Sequence, residues 1–211
     1  QAGVALVLPV LLWQAPRPPH GQFDLLAADI GQGNAVLVRT ARHVLLYDAG
    51  PRYSRDSDAG HRVLVPLLRA LGVRPDLVVL SHGDSDHVGG AAAVLALAPR
   101  ARLLASLAPE HAVWGLRAGS RCTAGQSWTW DGVAFAVLHP HASDYRDGAK
   151  PNALSCVVRI RAASTAALPQ PPSALLAGDI ESAQEQRLVM QLADLAADLL
   201  LVPHHGSKTS S

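Results

Sequence analysis

The sequence predicts an α/β fold that gathers a metal site at the ends of its strands, and three observations predict it. Short apolar runs alternate with stretches of helical spacing along the chain. Four of these runs give way to residue types that ligate metals: Tyr47 to Asp48, Leu80 through Ser81 to His82, Ala177 through Gly178 to Asp179, and Val202 through Pro203 to His204 and His205. The segment Ser81-His82-Gly83-Asp84-Ser85-Asp86-His87-Val88-Gly89-Gly90 sets two imidazoles and two carboxylates between positions 82 and 87. In open α/β sheets, ligands bind in the crevice beyond the carboxyl ends of the strands.

Each element follows in order. Phe23–Ala28, Ala35–Val38 and Val44–Tyr47 read as strands, separated by the turn residues Gly31-Gln32-Gly33-Asn34 and by Arg42-His43, which predicts an antiparallel meander. Pro51–Gly60 is irregular and predicts a loop. Arg62–Leu71 carries apolar residues at helical spacing and ends before Gly72. Leu77–Leu80 is a strand, and Ala91–Ala98 behind the polar segment is helical. Trp128–Trp130, Val133–Leu138 and Leu154–Ile160 predict a second group of strands. Ser173–Ala177 is a strand, Ile180–Leu195 an amphipathic helix and Leu199–Val202 a last strand, with loops at His139–Pro151 and Ala162–Pro172.

The chemistry of the polar segment follows from its residue types. Two carboxylates in a desolvated loop oppose each other's ionisation unless a cation compensates them. Imidazole nitrogen with carboxylate oxygen, and no thiolate nearby, suits catalytic zinc, manganese or iron better than a structural zinc held by cysteines. A solvated turn accounts for any one of these groups alone, since Ser, Asp and Gly are turn formers. The fourfold repetition of strand then ligand is what predicts one shared site.

Composition sets the frame. The 211 residues are 49% hydrophobic, enough for one sizeable core, and the net charge of +1 gives no global basic field to advertise a nucleic-acid partner, though a local patch is not excluded. Residues 4–13 form an apolar run about half the roughly 20 residues of a transmembrane helix, followed by the Pro-rich 14–20. The expectation is the end of a membrane segment and a linker over 1–21, then one domain over 22–211. Gln1 is not an initiator Met and the chain stops in a polar turn, so it is expected to be a fragment of a longer protein. Of the two cysteines, Cys122 and Cys156, a disulfide would indicate an oxidising, periplasm-facing location; two buried free thiols are the alternative.

His82-x-Asp84-x-Asp86-His87, preceded by Asp48-Ala49-Gly50 and followed by Gly178-Asp179 and His204-His205-Gly206, resembles the metallo-β-lactamase superfamily, whose signature is H-x-H-x-D-H with later Asp and His ligands. Asp29-Ile30-Gly31-Gln32-Gly33, the segment 81–90, Asn152-Ala153-Leu154-Ser155 and the segment 203–211 are similar to the soluble domain of ComEC-type DNA-internalisation proteins, polytopic bacterial inner-membrane proteins of natural transformation. The resemblance implies a four-layer αββα sandwich, cut short at its C-terminal end, with two divalent ions, Mn²⁺ or Zn²⁺, at one edge. It implies His82 and Asp84 on the first metal, Asp86 and His87 on the second, and Asp179 bridging both. One of His204 and His205 would complete the ligand set of the second metal, with His204 weighed first. Asp48 and Asp29 would stand behind the ligands and orient them.

Three departures bear on that reading. Asp84 stands where the superfamily has His, which makes the first site richer in oxygen and tilts it toward manganese. The family's middle His has no counterpart, with Asn152 and Ser155 in the matching motif and His139 and His141 as nearby substitutes. Asn34 occupies a position usually acidic in this branch. The implied function is a metal-dependent DNase that degrades one strand of incoming DNA, partnered by DNA, by the rest of the same membrane protein and by competence DNA-receptor proteins. In it Asp86 and Asp179 orient the attacking water, the non-ligating imidazole, His205, protonates the leaving oxygen, and Ser207, Lys208 and Asn152 contact the phosphate. A hydrolase of a small phosphodiester or thioester, and a DNA-binding module without activity, are the alternatives.

Overall fold

The computed structural model describes residues 16–166, 169–192 and 194–211, so the apolar run at 4–13 lies outside the described residues. Strands β1 (Asp24–Ala27), β2 (Val36–Arg39) and β3 (Val44–Tyr47) form the expected antiparallel meander. A small hairpin, β4 (Arg52–Ser54) and β5 (Ser57–Asp58), occupies the expected loop, and a π-turn at Gly60–Leu64 runs on into helix α1 (Val65–Ala70). Strand β6 (Leu77–Leu80) joins β3 in parallel, and the short helix α2 (Ser85–Val88) and helix α3 (Ala91–Leu97) follow it. Strand β7 (Arg102–Ala105), parallel to β6, was not anticipated; after helix α4 (Val113–Leu116) comes β8 (Ser120–Arg121), which ends the six-stranded first sheet.

The second sheet has β9 (Ser127–Trp130), β10 (Val133–His139), β11 (Val157–Arg161) and β12 (Ser173–Leu176) in antiparallel sequence. Helix α5 (Ser182–Gln191) is shorter at both ends than the apolar pattern predicted, because Glu181 caps it in a box with Gln184 and Leu192 is already extended. Strand β13 (Leu199–Leu201) pairs with β12 in parallel as the sheet's edge. The strand expected from Leu154 begins only at Val157, after a 3₁₀ turn at Asn152–Leu154. No described helix is long and apolar enough to cross a membrane.

The strands read as continuous apolar runs because both of their faces are buried, as expected of sheets covered on two sides. Val36, Val38, Leu45, Tyr47, Leu77 and Val79 of the first sheet face Phe135, Val137, Val158, Ile160 and Leu176 of the second. The alternate residues Leu37, Val44, Leu46, Val78 and Leu80 pack under α1 and α3 with Leu68, Val94 and Leu95. On the far side of the second sheet, Val157, Leu175, Ala177 and Ile180 meet Leu188 of α5. The layers are thus helix, sheet, sheet, helix, the αββα sandwich that the resemblance implied. Burying each large apolar side chain here contributes about 1.5–3 kcal/mol, so the inter-sheet layer and the helix-covered face of the first sheet both stabilise the fold. Cys122, at the end of β8, is bonded to Cys156, before β11, across that layer. The end of the expected linker is tied down too: Gly21 N–H donates to Asp131 O, and Gly21 O accepts from Ala163 N–H.

Candidate metal centre

Parallel pairing is what assembles the site. Strands β3 and β6 run side by side in one direction, so Asp48 and Ser81-His82 emerge at the same edge. Strands β12 and β13 do the same for Asp179 and the His204-His205 pair, and His204 N–H donates to Gly178 O at 3.1 Å. The two edges are joined by Tyr47, fully buried between the sheets, whose hydroxyl donates to Cys156 O at 2.6 Å. Burial, reinforced by Asp48 and Asp179, holds that phenol's pKa well above its ordinary value.

Asp48 forms the floor. Its buried carboxylate accepts from Ser81 N–H (2.7 Å), from Ser81 Oγ (2.8 Å) and from His87 Nδ1 (2.7 Å). Ser81 Oγ, having donated to Asp48, accepts from His82 Nδ1 at 3.0 Å. Both imidazoles therefore carry a proton on Nδ1, the tautomer assigned from these partners, and turn Nε2 inward. His82 Nε2, His87 Nε2 and Asp179 Oδ1 are buried and have no hydrogen-bond partner among the described residues. Orphaned polar atoms at such a density call for an ion, since an unsatisfied buried group costs about 1–3 kcal/mol.

The carboxylates and His205 close around these atoms. His205 Nε2 lies 3.4 Å from Asp86 Oδ2 and 3.4 Å from Asp179 Oδ2, and His87 Nε2 lies 3.2 Å from Asp179 Oδ1 without the alignment of a hydrogen bond. One ligand atom from each of Asp86, His87, Asp179 and His205 falls within 4.8 Å of the others. A tetrahedral ion with ligands at about 2.0–2.2 Å spaces them about 3.4 Å apart, so the four fit one divalent cation. A second group shares Asp179: His82 Nε2 is 3.5 Å from Asp84 Oδ2 and 4.0 Å from Asp179 Oδ2. The donor set is one imidazole and two carboxylates there, and two of each at the first group.

Without an ion, a proton balances the charge of the cluster. Burial disfavours a cationic His87, but Asp48 and then Asp179 overcome it and push its pKa up to about 10. His82 moves the other way, lowered by burial and by the charge of His87 beside it, with ring centroids 4.2 Å apart. Burial works against the Asp179 carboxylate as well, yet His87, His82 and His205 together hold its pKa below the usual value.

The structure places His205, rather than His204, nearer the carboxylates. Both residues adopt left-handed backbone, φ 48° and 52°, ahead of Gly206 at φ 73°, and this turn carries His205 onto the carboxylates. His204 Nε2 stays 4.0 Å from Asp179 Oδ2; its Nδ1 meets Thr209 Oγ1 at 2.7 Å and its Nε2 lies 3.4 Å from Asn152 Nδ2. The groove over the centre, about 360 Å³, is lined by Asp84, Asp86, Asp179, both imidazoles, Gln32 and Ser207. Lys208 is exposed beyond Ser207. Asp29 is exposed and its carboxylate accepts from Gly31 N–H at 3.4 Å, in the loop that supports Asp86 rather than against a ligand.

That loop explains the Gly31-Gln32-Gly33-Asn34 motif. A Cβ on Gly33, at φ 110°, would stand 2.1 Å from Asp86 O, so only glycine lets the loop lie on α2. Asn34 N–H donates to Asp86 O at 3.3 Å, and its buried Nδ2 has no partner among the described residues. His139 and His141 do not join the centre. His139 Nε2 donates to Ala153 O at 2.8 Å, and His141 is exposed against Gln191. Ser155 Oγ instead accepts from Asp179 N–H at 3.1 Å, which fixes Asp179 through its backbone. Ser81 and Tyr47 were not singled out from sequence; Ser81 could have been, as the residue between strand end and ligand.

Residues 28–112 match the model of the metallo-beta-lactamase superfamily. The chain is 35% identical over 208 residues to Recombination protein 2 of Haemophilus influenzae, an alignment covering 99% of this chain and 24% of that protein. It is 37% identical over 210 residues to competence protein ComA of Neisseria gonorrhoeae, covering 99% and 27%. It thus spans about a quarter of the length of these relatives. A solved metallo-beta-lactamase from Cronobacter sakazakii, a variant in its HARLDQ motif, superposes with a TM-score of 0.57 at 19% identity over 84% of this chain and 75% of that one, which shows the shared fold. Motif, layer order and relatives agree that the chain has the metallo-beta-lactamase fold, with a metallo-beta-lactamase domain match over residues 28–112.

Proposed function

We propose that this chain is the metal-dependent phosphodiesterase domain of a DNA-uptake protein, one that degrades one strand of incoming DNA. The observation that carries the metal reading is the trio of buried, unpartnered atoms, His82 Nε2, His87 Nε2 and Asp179 Oδ1, walled by Asp84, Asp86 and His205. His82, Asp84 and Asp179 would hold one divalent ion, and Asp86, His87 and His205, with Asp179, a second. The oxygen-rich first set favours Mn²⁺ there, while Zn²⁺ suits the second. Bound together, two such ions supply Lewis acidity and a water of lowered pKa for an in-line displacement at phosphorus.

The chain's own residues would do the rest. Asp86 and Asp179, both lining the groove, orient the attacking water. His204, leaning on Thr209 and facing Asn152, is the imidazole free to protonate the leaving oxygen, the role weighed for His205 from sequence. Ser207 lines the groove within reach of a phosphate, and Asn152 and Lys208 supply further donors. Relatives named for competence and recombination support DNA as the polymer; the remainder of a longer membrane protein and competence DNA-receptor proteins are the partners proposed. The Cys122–Cys156 disulfide suits a domain facing an oxidising compartment such as the periplasm. The test incubates the chain with end-labelled single- and double-stranded DNA under Mn²⁺ or Zn²⁺ titration. Cleavage that disappears in Asp86→Ala supports the reading; no cleavage with either metal, or cleavage unchanged in Asp86→Ala, refutes it.

A further inference from the structure

A second cavity abuts the metal centre and has no part in the chemistry above. It encloses about 610 Å³, within the range of small-molecule sites, and Gly83 is part of its wall. Gly83 lies between the ligands His82 and Asp84, and Asp84 lines the metal groove. Consecutive residues of the metal loop, with Cα atoms about 3.8 Å apart, thus line the two hollows. A Cβ on Gly83 would touch His111 and Leu107 at 3.8 Å, so the loop's back packs directly on this cavity.

The cavity contains a flat platform. The Arg121 guanidinium lies over the Tyr145 ring, 4.4 Å from its centroid, and both residues line the space. The ring cannot turn away, because its hydroxyl donates to Cys122 O at 2.6 Å and also meets Ser106 Oγ at 2.6 Å. Cys122 is in turn fixed by its disulfide to Cys156. The acids Glu110 and Asp147 offset the charges of Arg121 and Arg146 around the rim. Such a lining does not attract a row of phosphates. What it offers is a planar, cation-backed surface, which stacks a nucleobase irrespective of sequence.

We infer that this cavity takes the nucleobase of the nucleotide next to the scissile phosphate, stacked on the Arg121–Tyr145 platform. This makes single-stranded nucleic acid the polymer that the site grips, and it rests on the phosphodiesterase reading for the position of the phosphate. The platform selects unpaired bases because a base within a duplex has both faces covered by its neighbours.

The test is binding without chemistry. Fluorescence anisotropy of a fluorescein-labelled single-stranded oligodeoxynucleotide is measured with the 211-residue chain in EDTA, beside the same oligonucleotide made abasic through its middle. The intact strand is expected to bind about tenfold more tightly than the abasic one. Arg121→Ala removes that preference, and Arg121→Lys, which keeps the charge but not the plane, removes most of it. Equal affinity of the wild type for both strands, no binding of either, or a preference that survives Arg121→Ala and Arg121→Lys overturns the inference. Hydrolysis of bis(4-nitrophenyl) phosphate with Mn²⁺ reports on the metal centre separately. Absence of that hydrolysis in the wild type defeats the phosphodiesterase reading, while the base preference is judged on its own.

Discussion

Exchanging His204 and His205 one at a time separates ligand from proton donor. Both sit at positive φ, 48° and 52°, a conformation that costs a non-glycine residue about 1–2 kcal/mol, so alanine would keep that strain while losing every imidazole contact. Asparagine tolerates this region and is too short to reach the centre, which makes His204→Asn and His205→Asn the clean pair. His205 Nε2 lies 3.4 Å from both Asp86 Oδ2 and Asp179 Oδ2, whereas His204 Nε2 is 4.0 Å from Asp179. Losing an outer partner of a metal ligand weakens binding about 10–100-fold, and losing the ligand itself should exceed that, beyond about 2.7 kcal/mol. His205→Asn is therefore expected to retain one metal where the wild type holds two, by elemental analysis after dialysis. His204→Asn should keep both metals and lose about 10²–10⁴-fold in the rate of DNA cleavage, the usual contribution of a positioned acid. The reasoning is refuted if His204→Asn empties a metal position while His205→Asn fills both.

Three further outcomes follow from the geometry. Because Asp48 and Asp179 raise the His87 pKa to about 10, the metal-free imidazole is protonated throughout neutrality, and an incoming ion must displace its Nε2 proton. Calorimetry in buffers of different ionisation enthalpy should find close to one proton released at pH 7.5 on filling the His87 site, affinity there rising about tenfold per pH unit toward 10, and a smaller release in Asp48→Asn. Gly33→Ala drives a methyl group toward Asp86 O, 2.1 Å from its ideal position, and should weaken metal binding with little loss of global stability, read by metal titration beside thermal unfolding. Reducing Cys122–Cys156, which are 34 residues apart, should lower stability by about 3–4 kcal/mol in denaturant titrations, since the unfolded chain loses that loop constraint.

Most of the sandwich was legible because buried strands leave apolar runs, and because four runs ended in ligand types. What escaped did so for physical reasons. Strand β7 shows only Leu103-Leu104-Ala105 after two arginines, too short a run to separate from a helix's tail. The β4–β5 hairpin is exposed or half-exposed and has no apolar alternation to read. The Arg121–Tyr145 platform joins an edge strand to a distant loop, and no spacing in the sequence connects them. His204 and His205 are adjacent in sequence, and adjacency says nothing about which imidazole a left-handed turn brings to the carboxylates.

Backbone strain is concentrated where the sequence motif is densest. Among the described residues, four non-glycine residues have positive φ: Asp48, Asp131, His204 and His205. Three of these belong to the metal centre. Residues so held cost about 1–3 kcal/mol each and persist only when their surroundings over-determine them. Asp48 is held by three donors at 2.7–2.8 Å. The two histidines have less: a backbone bond from His204 to Gly178 O and side-chain contacts on the groove's open side. The floor of the site is thus rigid on its own, whereas the His204-His205 turn gains most from an ion drawing His205 inward. Metal loading should accordingly protect the amides of 204–207 from hydrogen exchange far more than those of 48 and 81–82, and equal protection at both places would refute this division.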